Sequence, residues 1–552
     1  MKKKWLALLV IGVSIFSTAC AGNSNDASDS AASTASVSST DASSESLEEP
    51  SQSSEAQETT TISQKPRTVI TTDGEVDDMN SVIRALLYAN EMDIAGIVLT
   101  SSTYHYAGDP EAGIEAFRWT GTEWLDNFLN AYEEVYPNLT IHAQGYPTPD
   151  YLKSVTHIGN ITNVGEMEKV TDGSEFLKNL FLDEDPRTLY VQTWGGTNTT
   201  ARALKSIEEE YKNTDQWEAI QQKINDKLVL YIILDQDDSY SNYIAVNWPN
   251  LKIINDRSNF WHFAYAWKNH TDEVNSRLQG EWNLENIKQN HGALLNYYAL
   301  MGDGNVIEGE LEEEQRGIDA YLENNPQYNR YDFISEGDSP SFLYLIDNRI
   351  RSMEDPSYGG WGGRFGADGE ARWINNVLDF DPYTNRYESE YSLMRWFDDI
   401  QDDFAARADW CIASNYEDAN HAPTVTVQEG IDLTATPGQT LTLHASAQDP
   451  DGDQVTFRWW HYFEADTYEE SKVAKNETVN EEMSGLLIGI HRDLAEGEVT
   501  DSIELTGSDT AEVTFTIPED AQSGDIIHIV VEGEDSGAHG MKHYQRVIIT
   551  VQ

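Results

Sequence analysis

The stretch Val69–Asp78 reads V-I-T-T-D-G-E-V-D-D and sets Asp73, Asp77 and Asp78 close together. Adjacent carboxylates repel one another, and burying them is costly unless each is paired or bound to a cation. The usual partner for such a group is a hard divalent ion with oxygen ligands, Ca²⁺ or Mg²⁺. A carboxylate beside that ion can act as a general base, because the ion lowers the pKa of a water it holds. The plainer alternative is local. Asp is a favoured helix N-cap, and acids suit the positive end of a helix dipole.

The flanking residues indicate what would position these groups. An apolar run, Thr68-Val69-Ile70, precedes Asp73; a helical period comes after it over Asp78–Ala89; a second apolar run is Ile94–Leu99. Strand, acidic turn, helix and strand make a βαβ unit, and open α/β sheets bind ligands beyond the carboxyl ends of their strands. The alternation continues to about Ala422, with strands expected at Arg67–Thr71, Ile94–Ser101, Thr188–Thr193, Leu228–Leu234 and Leu251–Asn255. Helices are expected between them, including Asn198–Glu210 and Trp217–Ile224. The fold class is therefore α/β, with a mainly parallel doubly wound sheet.

Beyond Asn420-His421-Ala422-Pro423 the pattern changes to short alternating runs: Thr424–Val427, Gln439–Ala447, Val455–Tyr462, Ala511–Ile517, Asp525–Val531 and Gln545–Val551. These predict an all-β sandwich of immunoglobulin-like type. The expected domains are thus 65–421 and 422–552. Asp449-Pro450-Asp451-Gly452-Asp453 reads as a turn between strands, with a Ca²⁺ loop as the alternative.

Other strand ends carry polar groups. Trp194-Gly195-Gly196-Thr197-Asn198 opens a helix, and its glycine pair lets backbone approach a ligand; Thr197 or Asn198 could equally be an N-cap. Asp237 and Asp238, after Leu228–Leu234, could hold sugar hydroxyls or merely begin a helix. His105 lies just past the second strand and could act as a leaving-group acid or serve structurally; His157, His262 and His291 are weaker candidates of the same kind. Asp338, in Ser335-Glu336-Gly337-Asp338-Ser339-Pro340, would ordinarily be a helix cap.

The formal charge of −59 over 552 residues argues against nucleic acid, which needs Lys/Arg stripes. The 15 Trp and 27 Tyr include rings suited to stacking on sugars. Met1-Lys2-Lys3-Lys4, an apolar stretch to Phe16, and Ser17-Thr18-Ala19-Cys20 read as a secretory signal over 1–20. The small residues before Cys20 look like a bacterial lipobox, which implies lipidation of Cys20 and a membrane-tethered protein on the outer face of the cell membrane. Residues 21–64 are polar and acidic, too poor in apolar groups to form a core, and read as a tether. With Cys411 as the only other cysteine, no intrachain disulfide is expected. There is no G-x-S-x-G elbow, P-loop or HExxH.

Thr71–Asp78 resembles the N-terminal D-x-D-x-x-x-D-D signature of nucleoside hydrolases, with Thr71 in place of the first Asp and Gly74-Glu75 in place of Pro-Gly. Trp194–Ala201 resembles their G-x-x-T-N-x-A stretch, and Asp338 matches a late Asp. The resemblance implies Ca²⁺ held by Asp73, Asp78, Asp338 and the Thr197 carbonyl. It makes Asp73 the general base and gives Asp77 a sugar hydroxyl. Gly337 stands where those enzymes carry a His. A narrower resemblance rests on Gly145-Tyr146-Pro147, Gln236-Asp237-Asp238, Glu336–Leu343, Gly360-Trp361-Gly362-Gly363-Arg364 and Asp403–Trp410. It points to the bacterial nucleoside-hydrolase-like family of cellulose-binding proteins. The function implied is that of an exported Ca²⁺-dependent glycosidase or N-glycosyl hydrolase. The alternative is a carbohydrate-binding lipoprotein without catalysis, with Trp194, Trp361 or Tyr146 stacking on sugar rings.

Overall fold

Arg67–Thr72 is rich in β-branched residues and buried along its whole length, as a central strand requires. Val69 and Ile70 point to opposite faces and enter two separate apolar cores. This is strand β1 of a computed structural model that describes residues 65–470, 479–483, 486–498 and 501–552. The signal segment with Cys20 and the tether over 21–64 lie outside the described residues.

The further strands of the main sheet are β2 (Asp93–Leu99), β3 (Thr156–Ile158), β4 (Leu189–Thr193), β5 (Leu228–Ile233), β6 (Lys252–Asp256), β7 (Gly366–Ala367) and β8 (Arg372–Ile374). Their order is β3-β2-β1-β4-β5-β6-β8-β7, parallel throughout except for β7 against β8. On one face Val69, Val98 and Val191 pack on Leu177, Leu204 and Ile207 from helices Asp172–Leu182 and Asn198–Tyr211. On the other, Ile70, Ile97 and Leu99 meet helix α1 (Val76–Leu87) and the helices Glu123–His142 and Phe397–Trp410. The sheet is doubly wound, as expected. Its order reverses between β1 and β4, so the ligand crevice of such sheets falls at the ends of these two strands. Helix α1 begins two residues earlier than the periodicity suggests, and this draws Asp77 and Asp78 into its first turn.

The rest of the β structure is antiparallel for the most part. Strands β9 (Asp379–Asp381) and β10 (Arg386–Glu388) form a hairpin. Strands β11 (Thr424–Val427), β12 (Asp432–Ala435), β13 (Thr440–Gln448), β14 (Val455–His461), β15 (Val479–Met483), β16 (Leu486–Asp493), β17 (Glu512–Thr516), β18 (Ile526–Asp535) and β19 (Lys542–Val551) complete the chain. Two sheets, β11-β13-β17 and β12-β19-β18-β14, share one core that includes Val425, Trp459, Phe515 and Val547. The hairpin β15–β16 stands apart from them. It pairs with β10, placing Glu388 opposite His491, so a segment late in the chain docks on the α/β region. Among the described residues no helix is long and apolar enough to cross a membrane.

Candidate functional site

The turn after β1 brings Asp73 to the switch point, and α1 then carries Asp77 and Asp78. Asp78 is tied into the turn: its Oδ1 accepts from Thr72 Oγ1 at 2.5 Å and from the Asp73 N–H at 3.1 Å. The loop after β4 closes on it. A Cβ at Gly195 would lie 2.9 Å from the Asp73 Cβ, so only glycine permits that approach.

Asp338 arrives from far along the chain. It occupies the N-cap position of helix Ser339–Leu343 yet makes no capping hydrogen bond, which removes the plain cap reading. Its loop is clamped by the polar face of α1. Asn80 Nδ2 donates to the Ala299 and Ser335 carbonyls, each at 3.1 Å. Arg84 grips Glu336 with two hydrogen bonds, Nε to Oε2 at 2.5 Å and Nη2 to Oε1 at 2.8 Å. Tyr298 and Ser339 hydroxyls also donate to Glu336.

The result is an assembly of Asp77, Asp78 and Asp338, with one oxygen from each lying within 4.8 Å of the others. All three and Asp73 are buried. Among the described residues, none donates to Asp73 Oδ2, Asp77 Oδ1 or either Asp338 oxygen. Burial first, then like charge from Glu75 and Asp73, pushes the Asp77 carboxyl well above the ordinary range. For Asp78 the causes are burial, then Asp73 and Asp338; for Asp338 they are burial, then Asp77 and Asp73. Buried acceptors without donors, crowded and mutually repelling, suit a divalent cation with oxygen ligands.

The other predicted residues are placed differently. Thr197 is the N-cap of Asn198–Tyr211; its carbonyl accepts the Ala201 N–H at 2.8 Å, and its hydroxyl meets Ser239 Oγ at 2.6 Å. Asp237 is committed to the fold, accepting from the Asn198 N–H at 2.9 Å and Ser239 Oγ at 2.7 Å. Asp238 is exposed at positive φ. His105 is buried, its Nε2 3.1 Å from Glu310 Oε1. Arg118 bridges that Glu310 to Glu75, at 2.8 and 2.9 Å. Burial opposes the Glu75 carboxylate, but Arg118, His105 and Arg316 outweigh it and lower its pKa. His157, His262 and His291 are engaged elsewhere, with Asp172, His270 and Asp409.

The stacking role read for Trp194, Trp361 and Tyr146 is corrected: all three are buried. Trp194 Nε1 donates to Ser341 and the Tyr146 hydroxyl to the Leu87 carbonyl, so the rings belong to the core. Sequence reasoning missed Asn80, Arg84 and Glu336, which hold the Asp338 loop. It also missed Asn255, Ser258 and Asn259 at the end of β6, whose buried polar atoms include several without partners.

At Gly337 a Cβ would sit 2.3 Å from the Phe260 ring. The ring fills the space a side chain there would need. Gly337→Ala is therefore expected to destabilise the chain by about 1–3 kcal/mol through overpacking. Urea unfolding midpoints measure this, and an unchanged midpoint contradicts it.

The chain is similar to known proteins. The family model described as cellulose-binding Sde182, nucleoside hydrolase-like domain, matches residues 67–365, and that of the cellulose-binding protein Sde0182 C-terminal domain matches residues 440–551. A solved nucleoside hydrolase-related hypothetical protein from Saccharophagus degradans, described as associated with carbohydrate metabolism, is similar at 28% identity over 89% of this chain and 100% of its own, with a TM-score of 0.63. The plant nucleoside hydrolase PpNRh1 shares 10% identity over 58% of this chain and 90% of its own, with a TM-score of 0.29. No curated protein matches the chain. With the first family model spanning both acidic segments, Asp73–Asp78 and Asp338, the chain belongs to the Sde182 family of cellulose-binding proteins with a nucleoside hydrolase-like domain.

Proposed function

We propose that the acidic crevice between β1 and β4 holds Ca²⁺ and hydrolyses a glycosyl bond of a sugar or nucleoside-like substrate. The observation that carries this reading is the buried trio Asp77, Asp78 and Asp338, in which Asp77 Oδ1 and both Asp338 oxygens have no donor among the described residues. When bound, Ca²⁺ supplies the positive charge these carboxylates lack and lowers the pKa of a coordinated water. Asp73 contributes the base: Oδ2 is buried and accepts no hydrogen bond, which leaves it open to take a proton from an attacking water. Asp77, whose Oδ1 has no hydrogen-bond partner among the described residues, would also accept from a sugar hydroxyl. Arg84 and Glu336 position Asp338 and touch no substrate. An extracellular location with an anchor at Cys20 belongs to the same proposal.

A second reading, saccharide binding without cleavage, is favoured by one observation. The Phe260 ring occupies the place beside Asp338 where a leaving-group acid would stand. Release of reducing sugar from inosine or cellohexaose, set against retention on insoluble cellulose, separates the two readings.

The Ca²⁺ claim has its own test. Each of the three carboxyls binds its proton more tightly in the folded than in the unfolded chain. In chelator, their contribution to stability is therefore most favourable below the ordinary carboxyl value of 3.8 and declines as pH rises through it toward the raised folded values. Ca²⁺ reverses that decline. At a hundredfold excess over Kd it should add about 2.7 kcal/mol, seen as a rise in Tm. The rise should be larger at about pH 8 than at about pH 5, because protons compete for the ligands. Asp78→Ala should abolish it; a variant with the parent's Ca²⁺ response would remove Asp78 from the shell.

A further inference from the structure

Away from the acidic crevice, a cavity of about 440 Å³ opens between β9, the segment Tyr391–Asp399 and β14. Its size lies within the ~300–1,000 Å³ of small-molecule sites. Three indoles line it, and they are not equivalent. Trp459 Nε1 donates to the Thr510 carbonyl at 3.0 Å, and Trp396 Nε1 to the Ser392 carbonyl at 3.2 Å. Trp460 Nε1 donates to none of the described residues, although the atom is buried. The Trp460 ring is half-buried and held in place, with Tyr462 5.1 Å away and the Arg395 guanidinium 5.1 Å from its centroid.

Glu464 supplies the complementary defect. Its Oε1 accepts the Phe380 N–H at 3.1 Å, whereas Oε2 is buried and accepts no hydrogen bond from the described residues; Arg395 Nη1 lies 3.6 Å away. Trp460 and Glu464 both line the cleft, each with one polar atom left without a hydrogen-bond partner among the described residues, beside the half-buried rings of Phe380, Trp460 and Phe463. An apolar ligand would leave both polar groups unsatisfied. An anion would meet Asp399, Asp501 and Glu532, while both local arginines are already engaged: Arg395 Nη1 by Asp379 at 3.0 Å and Arg458 Nε by Glu532 at 2.5 Å. A neutral polyhydroxylated ring satisfies all of these. Its hydroxyls donate and accept, and its C–H face packs on an aromatic ring.

We infer that this cleft is a second saccharide site, distinct from the acidic crevice, and that it takes a neutral pyranose of a cellulose-type chain. The inference rests on the saccharide-binding side of the proposed function and is independent of catalysis.

Calorimetric titration of the full chain with cellohexaose tests it, with intrinsic tryptophan fluorescence as a second readout. Trp460→Ala should weaken binding about tenfold or more, as loss of a buried aromatic contact does. Trp460→Phe keeps the packing and removes only the N–H; it should weaken binding by about threefold to tenfold, and it carries the test if the Ala variant fails to fold. The Trp460 variants should keep the Ca²⁺-dependent rise in Tm of the parent, because Trp460 lies outside the acidic crevice. Parent-like affinity in the folded Trp460 variants would overturn the inference. So would a parent whose binding is lost only in Asp338→Asn, since the sugar would then sit in the crevice. A parent that binds neither cellohexaose nor xylohexaose would overturn the saccharide class for the cleft. Failure of the catalytic reading looks different: intact cellohexaose binding, with no Ca²⁺ response and no hydrolysis.

Discussion

Replacing Asp73 with Ala should lower turnover about 10²–10⁴-fold, the range for loss of a positioned general base. The substitution keeps the Cβ that packs against Gly195, so the loop contact between β1 and β4 is preserved. Substrate affinity should change little, since the group removed acts on a proton. A second effect has the opposite sign. Asp73 is one of the charges that raise the Asp77, Asp78 and Asp338 carboxyls. Removing it relieves repulsion, and the variant should melt higher than the parent in chelator. Steady-state rates on whichever of inosine or cellohexaose the parent hydrolyses, with melts in chelator, read both effects. Turnover within a few-fold of the parent would remove Asp73 from the chemistry.

Arg84→Met should be among the most destabilising single changes in the chain. Arg84 and Glu336 are both fully buried, and the guanidinium also donates to the Ile400 carbonyl at 3.1 Å. Deleting one member of a buried pair leaves an uncompensated charge and costs about 3–5 kcal/mol. Here the abandoned group is Glu336, two residues from Asp338, so the change should also loosen the acidic site and weaken its Ca²⁺ response. Urea unfolding measures the first effect and Ca²⁺-dependent melting the second. A loss below about 0.5 kcal/mol, the size of an ordinary surface substitution, contradicts the clamp.

Alternation of Val69 and Ile70, and the acidic turn behind them, made the βαβ unit and its crevice legible in the sequence. Local order carries that information, because a strand's two faces and a helix's first turn are written in adjacent residues. The clamp was not legible: Arg84 and Glu336 are 252 residues apart, and nothing near either announces the other. Asp237 reads from sequence as a holder of sugar hydroxyls or the start of a helix; in the fold its oxygens accept from the Asn198 N–H, 39 residues earlier, and from Ser239 Oγ, and the first of these partners is invisible in the local sequence. Aromatic residues misled for a related reason. Type alone does not distinguish Trp194 or Trp361, covered by other elements, from Trp460, whose N–H is left over. The hairpin β15–β16 falls within the span 422–552 expected to form the sandwich, yet it pairs with β10.

Calorimetric titration of Ca²⁺ into the parent and the Asp338→Asn variant tests the central claim most directly. The neutral amide keeps the shape of the side chain and removes one of the three charges that define the site. The parent should bind Ca²⁺ at a site that Asp338→Asn lacks, and in chelator the variant should melt above the parent because repulsion is relieved. Ca²⁺ binding with the same affinity and stoichiometry in both proteins would contradict the account.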